Sequence, residues 1–416
     1  MSEAPDLRMI ECDPKTIAID DIDVSQRELW SENEKWPFFE RLRNEAPVHF
    51  CKDSEFGPYW SVTRYADIME VETTVDVFSS DPAIVIDDPE EDFTLPMFIA
   101  MDPPKHDEQR KTVQGVVAPA NLKKLEATIR TRVETILDSL PVGETFDWVD
   151  KVSIELTTQM LATLFDFPFE DRRKLTRWSD VATGSPETGV VETEEQRREE
   201  LYECLAYFTE LWKDREGKVN EDALDLVTML ANGDATKDME PMEYLGNLVL
   251  LIVGGNDTTR NSITGGVLAL NENPGEYAKL RNNPSVIPNM VSEIIRWVTP
   301  LAHMRRTALK DYELGGQQIK AGDKIVMWYV SGNRDERAIE NPNEFIIDRQ
   351  RARQHLSFGF GIHRCMGNRL AEMQLRILWE EIQKRFHFVE VVGEPERVPS
   401  NFVHGFTELP VRLHPI

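Results

Sequence analysis

Cysteine is scarce in this sequence: four in 416 residues, Cys12, Cys51, Cys204 and Cys365, far apart and with no CxxC pair. That spacing argues against a disulfide framework and a structural zinc site, so each thiol is judged alone. Long apolar runs are missing too. The longest purely aliphatic stretch is Leu248–Val253, far short of the roughly 20 residues of a membrane helix. The opening MSEAPDLRMIECDPK has no apolar leader segment, so the expected location is the cytoplasm, with no membrane anchor. Positive charge is outnumbered, 47 Lys and Arg against 74 Asp and Glu, and the net charge of −27 sets the summed field against nucleic acid or anionic lipid as a partner. No internal repeat or low-complexity tract interrupts the chain. What is present is material for a folded core: 41% hydrophobic residues, with nine Trp and 19 Phe.

Residues 1–34 read as an irregular acidic arm by composition. YWSVTRYAD at 59–67 alternates enough for a strand and turn. One helix is predicted over 105–140, opened by Pro103-Pro104 and closed by Pro141, and further helices over 151–165, 195–215 and 221–232. Between the first two of these, Thr183–Thr193 (TGSPETGVVET) has the composition of a mobile connection. Residues 241–273 read as one long helix whose centre, LVLLIV, is apolar on every face and so should be buried. A helix over 285–298 and a small sheet over 312–330 follow, the sheet with Gly315, Gly316 and Gly322 as turn residues. From Met366 to Ile382, Met366, Leu370, Met373 and Ile377 fall at helical steps. The expected class is mainly α with a minor β portion.

Three local patterns carry chemistry. In Phe358-Gly359-Phe360-Gly361-Ile362-His363-Arg364-Cys365-Met366-Gly367, three glycines surround one cysteine just before a helix. Glycine lets backbone approach a flat ligand, and a helix start aims N–H groups at the sulfur. A thiolate there could be a metal ligand, a nucleophile or a redox sensor, and a lone cysteine is more often inert core. The second pattern, Gly254-Gly255-Asn256-Asp257-Thr258-Thr259, sits inside the long helix, where each glycine costs about 1 kcal/mol relative to alanine. An adjacent acid and alcohol offer a proton relay; a kinked helix with a surface aspartate is the alternative. The third is Glu293 and Arg296, three apart on one helix face, which as an exposed pair would contribute only tenths of a kcal/mol.

The string F-G-x-G-x-H-R-C-x-G-x-x-L-A over Phe358–Ala371 resembles the haem-binding loop of the cytochromes P450, and Gly254–Thr259 resembles that family's oxygen-activation motif. The resemblance runs from about residue 35 to the end of the chain, in family order. It implies a single domain over 35–416 with haem b held between the long central helix and the cysteine-loop helix. Cys365 would be the iron ligand, its thiolate favouring O–O cleavage of dioxygen. Thr258 would hydrogen-bond the reacting oxygen and Asp257 would bring protons from solvent. Glu293 and Arg296 would be buried and joined by Arg349, locking the cysteine loop. His106, Arg110, Arg306 and His363 resemble propionate-binding positions, with His355 a weaker further candidate. Gly254 stands where the family more often has alanine.

The expected pocket lining is Ile84–Ile86, Leu95–Ile99, Leu251, Gly254, Leu301-Ala302-His303-Met304 and the turn Phe402–Phe406, mostly apolar. GGNDTTRNSITGGVLALNENP (254–274) and TPLAHMRRTA (299–308) resemble the bacterial alkane hydroxylase branch. This implies oxidation of the terminal methyl of medium-chain alkanes or fatty acids to primary alcohols. Terminal attack needs a channel that presents only the chain end, because a methyl C–H is the stronger bond; Leu301, Ala302 and Met304 are the candidates for its constriction. A hydroxylase of a bulkier terpene or steroid is the alternative enzyme. A haem sensor or carrier would keep Cys365 but need neither Asp257 nor Thr258. With no flavin domain or ferredoxin cysteine run, electrons are expected from a separate ferredoxin and ferredoxin reductase. Six arginines and one acid between Arg349 and Arg376 could steer the ferredoxin to the cysteine side.

Overall fold

The computed structural model describes residues 7–218 and 225–416. Among these, the first helices are α1 (Glu28–Ser31), α2 (Trp36–Glu45) and α3 (Tyr65–Thr73), and then α4 (Lys105–Val113), α5 (Pro119–Asp138), α6 (Glu155–Phe165) and α7 (Arg173–Thr183). The central set is α8 (Glu194–Arg215), α9 (Leu226–Asn232), α10 (Pro241–Glu272), α11 (Pro274–Asn282) and α12 (Ile287–Val298). The short α13 (Tyr329–Gly332) and α14 (Asn368–Arg385) complete them. The chain is mainly helical, as its composition and periodicity imply. Of the helix expected over 221–232, residues 221–224 lie outside the described residues.

Strands are few and short. β1 (Val48–Cys51), β2 (Tyr59–Val62), β3 (Phe78–Ser79), β5 (Met304–Ala308) and β8 (Lys324–Met327) form a five-stranded sheet in the order β1-β2-β8-β5-β3, with β2 and β8 parallel. β4 (Thr145–Asp147), β9 (Phe386–Val391) and β12 (Pro410–Pro415) form a second sheet. β6 (Tyr312–Leu314) and β7 (Gln317–Ile319) make the hairpin expected within 312–330, and β10 (Glu396–Arg397) pairs with β11 (Phe406–Glu408). The N-terminal stretch packs against the first sheet, burying Met9, Ile22, Val24, Leu29 and Trp30 in one cluster with Tyr59, Val326 and Trp328.

α10 is the axis of the molecule. At 32 residues it runs about 48 Å and packs against α6, α7 and α12; of its apolar centre Leu248, Val249, Leu251 and Ile252 are buried, and Leu250 and Val253 are half-buried. Its second glycine pair draws α12 close: a Cβ on Gly265 would lie 2.5 Å from Val298, and one on Gly266 2.9 Å from Ile294.

One expectation needs correction. The helix predicted over 105–140 is two helices separated by a 3-10 turn, Gln114–Val117. Pro119 has no N–H to donate and forces Ala118 into extended backbone (φ −63°, ψ 151°), so the chain restarts there as α5. Residues 166–182, for which the sequence predicts no element, hold most of α7, with Leu175, Trp178 and Val181 buried at three-residue steps. Beyond α7, residues 186–188 form a 3-10 turn closed by reciprocal hydrogen bonds between Ser185 and Thr188.

Candidate active site

A cavity of about 1300 Å³ lies between the middle of α10, the cysteine loop before α14, the 84–101 segment, α6 and the chain entering β5. Cys365 lines it. The residue is exposed within that cavity. Its backbone N–H donates to the carbonyl of Phe358 at 2.8 Å, closing the loop. Burial pushes the thiol up, while the backbone N–H groups of Gly367 and Asn368 and the cations of Arg110 and Arg364 favour the thiolate. Gly359 and Gly361 have φ of +64° and +67°, a left-handed conformation that any Cβ would strain. At Gly361 a Cβ would also lie 2.7 Å from the carbonyl oxygen of Glu72.

Across the cavity stands α10. Thr258 faces the space and donates its hydroxyl to the carbonyl of Gly254 at 2.9 Å. A Cβ on Gly254 would meet nothing within 4 Å, whereas one on Gly255 would lie 2.6 Å from Leu161 of α6. Asp257 turns the other way and is fully buried rather than a surface aspartate. Arg260 Nη2 pairs with its Oδ1 at 2.8 Å, and Asn256 Nδ2 donates to the same oxygen at 3.0 Å. Arg260 Nη1 also reaches Asp180 at 2.9 Å, whose side chain is 34% exposed. Burial pushes the Asp257 carboxyl up and Arg260 offsets part of that. A polar route thus runs from solvent at Asp180 through Arg260 to Asp257.

Glu293 and Arg296 are both fully buried, joined by two bonds of 2.7 and 2.8 Å. Arg349 Nε donates to Glu293 at 2.9 Å. Arg296 further donates to the carbonyls of Asn333, Pro342 and Glu344, and Arg349 to those of Glu344 and Asn341. The three residues therefore tie α12 to the irregular segment 333–349 that leads to the cysteine loop.

Donors collect at one edge of the cavity. Arg110, Arg306 and His363 line it. His106 is buried behind, its ring 4.2 Å from that of His363. Arg110 donates to the carbonyl of Arg364, and Arg306 pairs with Glu72 at 2.8 Å. His363 Nε2 is 2.8 Å from Ser80 Oγ; its Nδ1 and His106 Nε2 are buried without a partner. Burial, then the nearby Arg306, His106 and Arg110, hold His363 down to about 2. His355 is away from the lining and packs on Phe358. Buried imidazole nitrogens without a partner beside Arg110 and Arg306 suit an anionic group, and an exposed cysteine facing the Cβ-free Gly254 suits a flat metal complex. The residues present therefore fit a haem.

Of the expected substrate residues, Leu251, Gly254, Leu301, Met304 and Phe402 line the cavity, as do Ile84–Ile86 and Leu95–Ile99. Ala302 does not, nor do His303 and Val403–Phe406. Between the bridge at Leu301 and the start of β5, Ala302 turns into the cluster around Trp30 and Trp328, with its N–H on the carbonyl of Phe402, and His303 packs on Trp328. Unforeseen lining comes from Leu161 and Leu164 of α6 and Ala182–Ser185 at the end of α7. Arg260 was within reach of the sequence, since it stands three residues after Asp257 as Arg296 does after Glu293. Glu72 and Asp180, lone acids on other helices, had no such signal.

The sequence model of the family described as Cytochrome P450 matches residues 134–413. Linalool 8-monooxygenase of Pseudomonas putida is 34% identical over 94% of this chain and 99% of its own. Methyl-branched lipid omega-hydroxylase of Mycobacterium tuberculosis is 31% identical over 96% of both. Among solved structures, cytochrome P450-153 from Novosphingobium aromaticivorans superimposes with a TM-score of 0.88 at 50% identity, covering 94% of this chain and 99% of that one. With a cavity-facing cysteine, backbone N–H groups and two cations near its sulfur, and the family model and relatives above, the chain belongs to the cytochrome P450 family and is a haem-dependent monooxygenase.

Proposed function

We propose that the protein hydroxylates the terminal methyl of medium-chain alkanes or fatty acids, with Cys365 as the iron ligand of haem b. The observation that carries this reading is the lining of the cavity that ends at Cys365: Val85, Leu95, Phe98, Leu251, Leu301 and Phe402 are all apolar, so a linear hydrocarbon is desolvated along its length and held by shape. Leu301 and Met304 form the constriction, without Ala302. Haem iron, when bound, supplies the activation of dioxygen. The chain's own residues do the rest. Arg306, Arg110, His106 and His363 bind the cofactor's carboxylates, and the Glu293–Arg296–Arg349 lock holds the loop that carries the sulfur. Thr258 orients a hydroxyl into the cavity, and Asp257, whose carboxyl burial pushes up, holds a proton beside it while Arg260 fixes its position. Electrons come from a separate ferredoxin and its reductase. The exposed Arg364 and Arg369 flank the cysteine side and would steer an acidic partner, an association that added salt weakens.

The test is product regiochemistry. n-Octane and a twelve-carbon fatty acid are expected to give mainly 1-octanol and the ω-hydroxy acid; a majority of internal alcohols sinks the terminal assignment. The likeness to linalool 8-monooxygenase favours a second reading, a terpene alcohol as substrate, and turnover of linalool well above that of octane would decide for it.

A further inference from the structure

Glu72, in the last turn of α3, is buried, and it does not line the cavity itself. It stands behind two residues that do, Arg306 and Tyr329. Arg306 Nη2 lies 2.8 Å from Glu72 Oε2, with the two side chains 4% and 1% exposed, and the Tyr329 hydroxyl donates to Oε1. The other terminal nitrogen of Arg306 donates to the carbonyl of Arg305 at 2.8 Å, so two contacts fix the guanidinium. The backbone N–H of Phe360 lies 3.5 Å from Oε1, and Gly361 passes against the Glu72 carbonyl. One acid thus joins α3, β5, α13 and the cysteine loop.

A carboxylate buried this deeply persists only when paired and hydrogen-bonded. If Arg306 turned wholly toward a bound anion, Glu72 would keep only Tyr329 and a distant N–H. Arg306 must therefore serve both, and Glu72 cancels part of the positive charge that Arg306 and Arg110 present at that edge. We propose that Glu72 is a positioning residue for the carboxylate edge of the cofactor, holding Arg306 in the cavity wall and setting the charge felt by the iron. This rests on the reading that Cys365 binds haem. Reduction adds an electron, which positive surroundings favour, so removing the Glu72 charge shifts the reduction potential upward.

Redox titration of the haem-loaded enzyme tests this, together with the rate of haem transfer to apomyoglobin and the thermal unfolding temperature. Glu72→Gln keeps size and an acceptor oxygen but loses the charge; it is expected to shift the potential positive with unfolding near that of the wild type. Glu72→Asp keeps the charge on a shorter arm; it is expected to hold the wild-type potential while releasing haem several-fold faster. A wild-type potential in Glu72→Gln overturns the proposal, and so do equal shifts in the Gln and Asp variants. If Glu72→Gln folds by circular dichroism but retains no haem, titration of haem into the apoprotein reads the loss of positioning directly, and if it does not fold, the Asp variant decides by its potential and haem release together. The absorbance of the reduced, carbon monoxide-bound wild type separates the two levels. Without the thiolate-type Soret band the Cys365 reading fails, and with the band but an unmoved potential only the role of Glu72 fails.

Discussion

At Thr258 the proton of the hydroxyl is held by the carbonyl of Gly254, which leaves the oxygen lone pairs turned to the cavity. Thr258→Ala is therefore expected to consume reductant at a rate within a few fold of the wild type while releasing peroxide in place of product, and Thr258→Ser to recover coupling. Reductant, peroxide and product measured together check it; tight coupling in the Ala variant counts against the role. At Arg296 the issue is stability. Arg296→Met strands Glu293 in the interior with Arg349 as its sole cation, and removing one member of a buried pair costs roughly 3–5 kcal/mol. Denaturant unfolding and haem content are expected to fall together, and a loss below 1 kcal/mol would make the lock marginal. These residues were legible because each belongs to a short contiguous string. Ala302 was misplaced because a string resemblance carries no face, and the packing around Trp328 decides which way each residue of that segment turns. Glu72 was invisible because its meaning comes from Arg306, distant in the chain.

Helix α10 shows how a glycine's worth depends on what its missing Cβ would meet. Gly254 looks onto open cavity, so Gly254→Ala is expected to stabilise the fold by about 0.5–1 kcal/mol through helix propensity alone. Gly246 sits under the 95–99 segment, where a Cβ would overlap the Pro96 carbonyl oxygen at 2.1 Å; Gly246→Ala must displace that part of the cavity wall. Thermal unfolding of the two variants in opposite directions is the expected result, with substrate binding altered in Gly246→Ala. The same rule explains which elements could be read. α10 is long and apolar all round, so periodicity, length and burial agree. The 105–140 stretch kept its apolar spacing across Pro119, and spacing alone does not register a missing N–H. α7 carries its buried residues at regular steps, but they are too few to stand out beside a Gly- and Pro-rich neighbour.

Across the whole molecule, pH stability is governed by histidines that the fold keeps neutral. His303 accepts the N–H of Ile86 at 3.1 Å on Nε2 and donates from Nδ1 to the carbonyl of Asn401 at 2.9 Å, so a second proton would face a donor. Burial holds it down to about 4. An unfolded histidine takes its proton near 6.5, so as pH falls from 6.5 to about 4 the unfolded chain binds a proton that the native protein does not. Stability present above pH 6.5 is lost across that window, on the order of 3 kcal/mol from this one group. Denaturant unfolding between pH 7.5 and 4.5 is expected to show a shallower decline in His303→Gln than in the wild type, and parallel slopes would remove His303 from the account. The sequence by itself determined the reaction class through its resemblance to the family, because the cysteine loop, the acid-alcohol pair in a long helix and the Glu-x-x-Arg pair that carry the resemblance are contiguous strings. Only the tertiary structure decided which apolar residues face the cavity, which way Asp257 turns and what stands behind Arg306. Those depend on how α3, α7, α10 and β5 pack, and burial and pairing between distant segments are properties of the packed chain.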